Sequence, residues 1–218
     1  DTIAQITLNR PEAYNAFNYE LVSQLANQLT ALAGESDVRG VVITGKGKAF
    51  CAGGDLKWAL GYPAKPGAAF HTLASQFHLA ILEIRRMKKP VVAAVNGLAL
   101  GGGLEIAIRC HGMVATKNAT LQFPEISLGI LPGIGGCVVP YRKWPQGAAL
   151  FHEMICFGKP LKAIKAAEFG MVAGLADNYR DLIQAAVEQI DNLQGKVTGI
   201  PPGKVDIPEL NIPDKPMA

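Results

Sequence analysis

Apolar positions along the chain fall into short continuous runs and longer stretches with helical spacing. Ile3 to Leu8 is a short apolar-rich run followed by Asn9-Arg-Pro-Glu12, which predicts a strand and then a turn. Asn18 stands where a helix cap belongs, and Leu21, Val22, Leu25, Leu29 and Leu32 repeat behind it at helical spacing. Val41-Val-Ile-Thr44 is a β-branched run closed by Gly45-Lys-Gly47, the pattern of a buried strand. Phe70, Leu73, Phe77, Ile81 and Ile84 mark a second amphipathic helix. It ends near Lys88-Lys89-Pro90, where cations suit the negative helix end and proline stops propagation. Val91 to Val95 predicts a third strand, and Gly97 with Gly101-Gly-Gly103 leads into a helix beginning near Leu104.

Strand, helix, strand, helix, strand in this order argues for parallel strands joined by right-handed crossovers. Met113–Ala115 and Leu121–Phe123 predict further short strands. Asn178 to Leu193 predicts a helix with Leu182, Ile183, Ala186, Val187 and Ile190 on one face. The tail changes character: prolines at 201, 202, 208, 213 and 216 exclude regular structure and mark a linker or extended arm. The expected organisation is a core over residues 1–175, a C-terminal helix over 176–198 and a proline-rich tail over 199–218.

Composition narrows the class. Apolar residues make up 49% of the 218 and charged residues 18%, which excludes a disordered polar chain. A mean hydropathy of +0.19 raises the question of a membrane span. The most apolar window, Val91 to Ile108, contains Asn96, Glu105 and four glycines, so it reads as buried core. No signal-peptide pattern opens the chain, while a first residue of Asp1 and not Met suggests that a leader or preceding domain was removed. Cysteines 51, 110, 137 and 156 form no C-x-x-C pair, which fits reduced thiols in the cytoplasm. A net charge of +3 permits a polyanionic small ligand without demanding nucleic acid.

Familiar catalytic motifs are missing: there is no G-x-S-x-G, Walker A, H-E-x-x-H or G-x-G-x-x-G pattern. His71 and His78 share a helix face and read as a solvated or packed pair, so no metal is expected. Arg85-Arg86 and Lys88-Lys89 form a basic cluster, either a solvated face or a phosphate contact. Two glycine segments remain. Phe50-Cys-Ala-Gly-Gly-Asp55 can bring backbone N–H groups close to a ligand because no large side chain blocks the approach. The segment Asn96 to Glu105 ends a strand and opens a helix, exposing unpaired donors at its positive end. One N–H from each would make an oxyanion hole. The same glycines equally suit two tight turns with close helix–sheet packing, and the residues alone do not choose. Glu105 in an apolar helix and Glu125 among apolar neighbours are carboxylates that burial could tune for acid and base work.

At these residues the chain resembles the enoyl-CoA hydratase/isomerase (crotonase) family. The resemblance is carried by Ile6-Thr-Leu-Asn-Arg-Pro-Glu12 with Asn15-Ala16, by Lys48 to Leu56, by Lys89 to Glu105 and by Phe123 to Gly136. Ala163 to Leu175 matches more weakly, and coverage runs roughly from residue 3 to 193. It implies an α/β spiral of β-β-α units that binds acyl-CoA thioesters, with a helical and shortened C-terminal region. It places the thioester oxygen on the N–H groups of Ala52 and Gly102. Gly53, Gly54, Asp55, Gly101, Pro132 and Gly133 are the implied substrate contacts. Glu105 falls on the family's water-activating glutamate and Glu125 on the one that serves C2.

Carrying both glutamates favours hydration of a 2-enoyl-CoA, as in β-oxidation, with CoA part of the substrate and no separate cofactor. Other crotonase-type reactions (isomerisation, hydrolysis, decarboxylation) stay open, as does a non-catalytic acyl-CoA- or RNA-binding subunit. The resemblance also implies a homo-trimer or hexamer, here in doubt because Pro201-Pro202 falls where further helices would follow; a domain of a fused protein is the other expectation. Gly-Gly-Cys137-Val-Val-Pro140-Tyr141 departs from the family's usual Gly-Gly-Thr-Gln-Arg, Ala13 replaces a common basic residue, and Cys110-His111 stands for Cys-Asp. Cys137 has no evident histidine partner that would make it a nucleophile.

Overall fold

A computed structural model describes residues 2–61 and 66–210, apart from the side chains of Pro66, Ala69 and Phe70. Nine strands and eight α-helices follow one another among these residues. In chain order they are β1 (Thr2–Leu8), α1 (Tyr19–Gly34), β2 (Val38–Gly45), β3 (Ala49–Cys51), α2 (Leu56–Leu60), α3 (Pro66–Arg86), β4 (Val91–Val95) and β5 (Leu98–Leu100). Next come α4 (Gly102–Arg109), β6 (Gly112–Thr116), β7 (Thr120–Gln122), α5 (Val139–Lys143), α6 (Ala148–Phe157), β8 (Leu161–Lys162), α7 (Ala163–Ala167), β9 (Gly174–Ala176) and α8 (Tyr179–Leu193). Residues 194–210 carry no helix or strand, as the prolines at 201, 202 and 208 predict; Pro213 and Pro216 lie outside the described residues.

The larger sheet has the order β1-β2-β4-β6-β9 and is parallel throughout. Strand β4 lies at its centre and all five of its residues are buried, which is why Val91-Val-Ala-Ala-Val95 has no polar alternation. The two faces separate by strand period. Val41, Ile43, Val91, Ala93 and Val95 face the main core with Leu21, Leu25 and Leu29 of α1 and Leu73, Phe77 and Ile84 of α3. Val42, Val92, Ala94 and Val114 face Leu182, Ala186 and Ile190 of α8. The predicted cap is present, with Asn18 Oδ1 accepting from Leu21 N at 2.9 Å.

A second, smaller sheet, which periodicity did not reveal, runs β3-β5-β7-β8. Each of β2, β4 and β6 turns sharply and continues as a three-residue strand of this sheet. Gly45 and Gly97 allow the first two turns: a Cβ on Gly97 would lie 2.1 Å from Lys48 O, and one on Gly45 2.1 Å from Ala49 O. The Asn96 side chain ties these turns together, accepting from Gly45 N at 3.0 Å and donating to Gly47 O at 2.9 Å. This repeated strand–strand–helix unit is the spiral architecture that the resemblance implies.

Strands β3, β5 and β7 are parallel neighbours, so their carboxyl ends open on one side. The segments after them, 52–55, 101–103 and 123–125, emerge side by side. Helix α4 packs against β3 through Gly103, where a Cβ would sit 2.3 Å from Cys51 O. Gly103→Ala is expected to destabilise the protein by about 1–3 kcal/mol through this overpacking. At Gly34, the last residue of α1, an added Cβ meets nothing within 4 Å. There the same change is expected to be neutral or slightly stabilising. Urea unfolding of the two variants checks the contrast.

Candidate active site

Three backbone donors of the first glycine segment are already taken. Ala52 N–H donates to Tyr14 O at 3.0 Å and Asp55 N–H to Phe17 O at 2.9 Å, while Gly53 N–H points to Cys51 Sγ at 3.4 Å. Tyr14 and Asn15, with φ of 51° and 57°, make the left-handed turn that brings Tyr14 O to Ala52. The expectation that Ala52 supplies a free donor is therefore corrected: its N–H is spent on an internal carbonyl. Gly54 N–H has no acceptor among the described residues, and a Cβ there would meet nothing within 4 Å.

The second segment behaves as the helix start predicts. Gly101 N–H donates to Gln122 O at 2.9 Å, and its φ of 49° with ψ of −126° is a conformation that favours glycine. Gly102 opens α4, so its N–H has no intrahelical partner and no other acceptor among the described residues. A Cβ on Gly53 would stand 3.3 Å from Gly102 N and 2.9 Å from Leu100 O. Residue 53 must therefore lack a side chain for the Gly102 donor to stay open. The two glycine segments meet at this point.

The loop 52–55 is braced from outside. Arg10 Nη2 lies 3.0 Å from Asp55 Oδ2 and its Nη1 donates to Ala16 O. Asp55 Oδ1 accepts from Trp58 N at 2.9 Å and so caps α2. Against the upward push of partial burial, Trp58 N–H and the Arg10 guanidinium hold the Asp55 carboxyl below its ordinary range. Asn15 donates to Lys46 O and Ala49 O, fixing the turn that precedes β3.

Glu105 is 3% exposed on α4. Its Oε1 accepts from Ile134 N and Gly136 N, both at 2.8 Å. Burial pushes its carboxyl up, opposed by those two N–H groups and by the Arg109 charge one helical turn on. Arg109 Nη2 grips the same loop at Ile134 O, 3.0 Å away. Pro132 and Gly133 sit in this loop. Pro132 is buried beneath Gly136, where a Cβ would come within 2.6 Å of it, whereas Gly133 is exposed with open space around it.

Glu125 begins a short 3-10 helix after β7 and is 9% exposed. Its Oε1 lies 2.9 Å from where a Gly101 Cβ would be, so the carboxyl occupies the space that Gly101 leaves. Its Oε2 is buried without a hydrogen-bond partner. Burial raises its pKa to about 7, and the charge of Glu105 adds to the rise. Burial thus raises both carboxyls, but two loop N–H groups oppose it at Glu105, whereas at Glu125 only that residue's own backbone N–H does.

His71 and His78 are exposed, as expected of a solvated pair. Among the described residues no group of histidines, cysteines and carboxylates could hold a metal ion, and no helix is long and apolar enough to cross a membrane. All four cysteines are free thiols, with Cys51 and Cys110 buried. Reading the residues missed the bracing role of Arg10, the tie at Asn96 and the grip of Arg109. The Arg10–Asp55 pair joins residues 45 apart in the chain, so no local pattern discloses it.

A family model described as Enoyl-CoA hydratase/isomerase matches residues 1–199. A probable mitochondrial enoyl-CoA hydratase of Dictyostelium discoideum is 36% identical over 171 residues, covering 78% of this chain and 59% of that protein. The 2,3-dehydroadipyl-CoA hydratase of Escherichia coli (strain K12) is 40% identical over 168 residues, covering 77% and 63%. This chain thus spans less than two thirds of the length of either relative. The crystal structure of an enoyl-CoA hydratase from Polaromonas sp. JS666 superposes with a TM-score of 0.80 at 31% identity, covering 88% of this chain and 74% of that one. With fold, segment order and full-core match in agreement, the chain belongs to the enoyl-CoA hydratase/isomerase family.

Proposed function

We propose that this chain adds water across the 2,3 double bond of a 2-enoyl-CoA. The observation that carries the reading is the contrast between its two buried glutamates beside two uncommitted backbone donors. Glu105 Oε1 accepts two N–H bonds, which favour the ionised form, whereas Glu125 Oε2 has none. An ionised base and a neutral acid in one pocket is the division of labour that hydration needs. The hydratase names of the relatives point the same way.

In this reading the thioester oxygen accepts from Gly54 N–H and Gly102 N–H. As water attacks C3, charge moves onto that oxygen, where the two fixed donors stabilise it. Glu105 takes the proton of the attacking water. The enolate then collapses, C2 takes the proton of Glu125, and solvent exchange restores both carboxyls. Gly54 replaces Ala52 as the first donor because its N–H alone in residues 52–55 has no internal acceptor. Asp55, Gly53 and Gly101 act by shaping: the first anchors the donor loop, and the glycines keep space for the thioester and the acid.

Three measurements test this. With crotonyl-CoA as substrate, followed by loss of the conjugated-thioester absorbance, Glu105→Gln and Glu125→Gln should each lower kcat by about 10²–10⁴-fold. Wild-type turnover in either variant would sink the reading.

The pH dependence has a defined sign. Glu125 works protonated, so kcat/KM should fall about tenfold per unit as pH rises beyond its pKa of about 7. A pH–rate profile flat up to pH 9 would contradict its role as the acid.

Stability should move with the same proton. A native pKa raised from 4.5 to about 7 means that wild-type stability is complete below pH 4.5 and is lost as pH rises through about 7. Glu125→Gln removes that loss, so its advantage over wild type should grow to about 3 kcal/mol by pH 8 and vanish near pH 4. Thermal or denaturant unfolding across this range reads it directly.

A further inference from the structure

The basic cluster Arg85-Arg86 with Lys88-Lys89 divides in the structure, and neither half enters the site described above. Lys89 turns toward α1 and donates to Leu32 O and Glu35 O at that helix's C-terminal end. The other three line a cavity of about 730 Å³ where the ends of α3 and α4 meet α5 and the segment 195–202. Arg109, Arg142 and Lys143 line it too, so six cationic side chains surround one space that no aspartate or glutamate lines.

Only two of the six have a carboxylate close enough to act on them: Arg109 feels the charge of Glu105, and Arg86 lies near Glu83. Lys143 Nζ donates to the carbonyls of Ile108 and Cys110, Arg109 to Ile134 O, and Arg142 to Pro201 O and Gly203 O. Carbonyls orient these side chains but carry no net charge. Among the described residues Arg85 and Lys88 have no ion-pair partner, and Arg86 has only a loose one at 3.9 Å from Glu83. The groups feel one another: the charge of Arg85 opposes that of Arg109, and Arg109 opposes Lys143. His111, on the same wall, adds no charge, since burial holds its pKa down near 4 and its Nδ1 accepts from Val91 N. Helix C-termini attract cations, which accounts for one or two of the six. It does not account for their convergence on one half-open space that no carboxylate lines.

We propose that this cavity binds a small, multiply charged phosphate compound, inorganic pyrophosphate or a nucleoside diphosphate. Arginine forks match phosphate oxygens two at a time, and four arginines here line one space. The volume suits a ligand of nucleotide size. The segment 195–202 forms one wall, and Arg142 pins it through the carbonyls of Pro201 and Gly203. This site is separate from the acyl-CoA reading and does not rest on it.

Calorimetric titration of the full chain at low ionic strength, with pyrophosphate and ADP in separate arms, tests the proposal. Both should bind the wild type and raise its Tm. The double variant Arg85→Ala/Arg86→Ala should bind at least tenfold more weakly, and Lys89→Ala within twofold of wild type. The far-UV circular dichroism and ligand-free Tm of the double variant should match the wild type, showing that it folds. Arg85→Lys/Arg86→Lys, which keeps the charge but loses the fork, should fall between. Tighter binding of ADP identifies a nucleotide, and equal binding identifies inorganic polyphosphate. No binding of either at millimolar concentration, or equal affinity in the double alanine variant, overturns the proposal.

Discussion

Ala49 pairs with Leu98, and Leu98 in turn with Thr120, in a parallel alignment of three strands that are only three residues long. Everything at the site stands on that alignment. It places the ends of three separate strand–strand–helix units next to one another, so the donor loop, the start of α4 and the Glu125 segment face one space. The large sheet behind them supplies rigidity more than chemistry. Its buried strands hold the sharp turns at Gly45 and Gly97, and Asn96 hydrogen-bonds across both turns. Catalytic groups at the carboxyl ends of parallel strands recur in α/β enzymes because loops there can vary while the frame does not.

The electrostatic character of the pocket follows from how its backbone is spent. A buried carboxylate needs donors, and the loop 134–136 provides them to Glu105 while Arg109 holds that loop at Ile134. Glu125 receives no such help at Oε2 and sits close enough to Glu105 to feel its charge. Two residues of one type, both raised by burial, thus differ in the hydrogen bonds that oppose the rise. Backbone N–H groups show the same economy, since those of Ala52 and Asp55 stitch the loop to residues 14–17 and leave Gly54 over.

Much of this was legible in the residues. Helical spacing located α1, α3 and α8, and the apolar runs located β2 and β4. Asn18 was readable as a cap because the capping side chain lies within three residues of the N–H from which it accepts, whereas Asn178, read as the first residue of its helix, proves to be the cap of α8. Of the second sheet only β7 was legible, as the run Leu121–Phe123. Three-residue strands leave no period, and their glycine-bearing neighbours read equally well as loops. The choice between Ala52 and Gly54 was hidden for a related reason. Which N–H is free depends on pairing with Tyr14 and Phe17 far upstream, and a local reading of Phe50 to Asp55 cannot see that partner. Glu105 and Glu125 announced themselves because charge in apolar surroundings is costly without a partner or a task.

The units that meet at the site are far apart along the chain: Gly101 joins Gln122, Glu105 joins Ile134, and Ala52 joins Tyr14. No single unit contains a working fragment of the pocket. Closing loops of this length costs entropy before any contact returns it, so such pairings form slowly relative to helices. During synthesis the chain must pass through states in which the helices exist and the pocket does not. The glutamates then remain in water, and burial raises their proton affinities only when the units around them have docked. The pocket is a property of the completed topology and of no single unit within it.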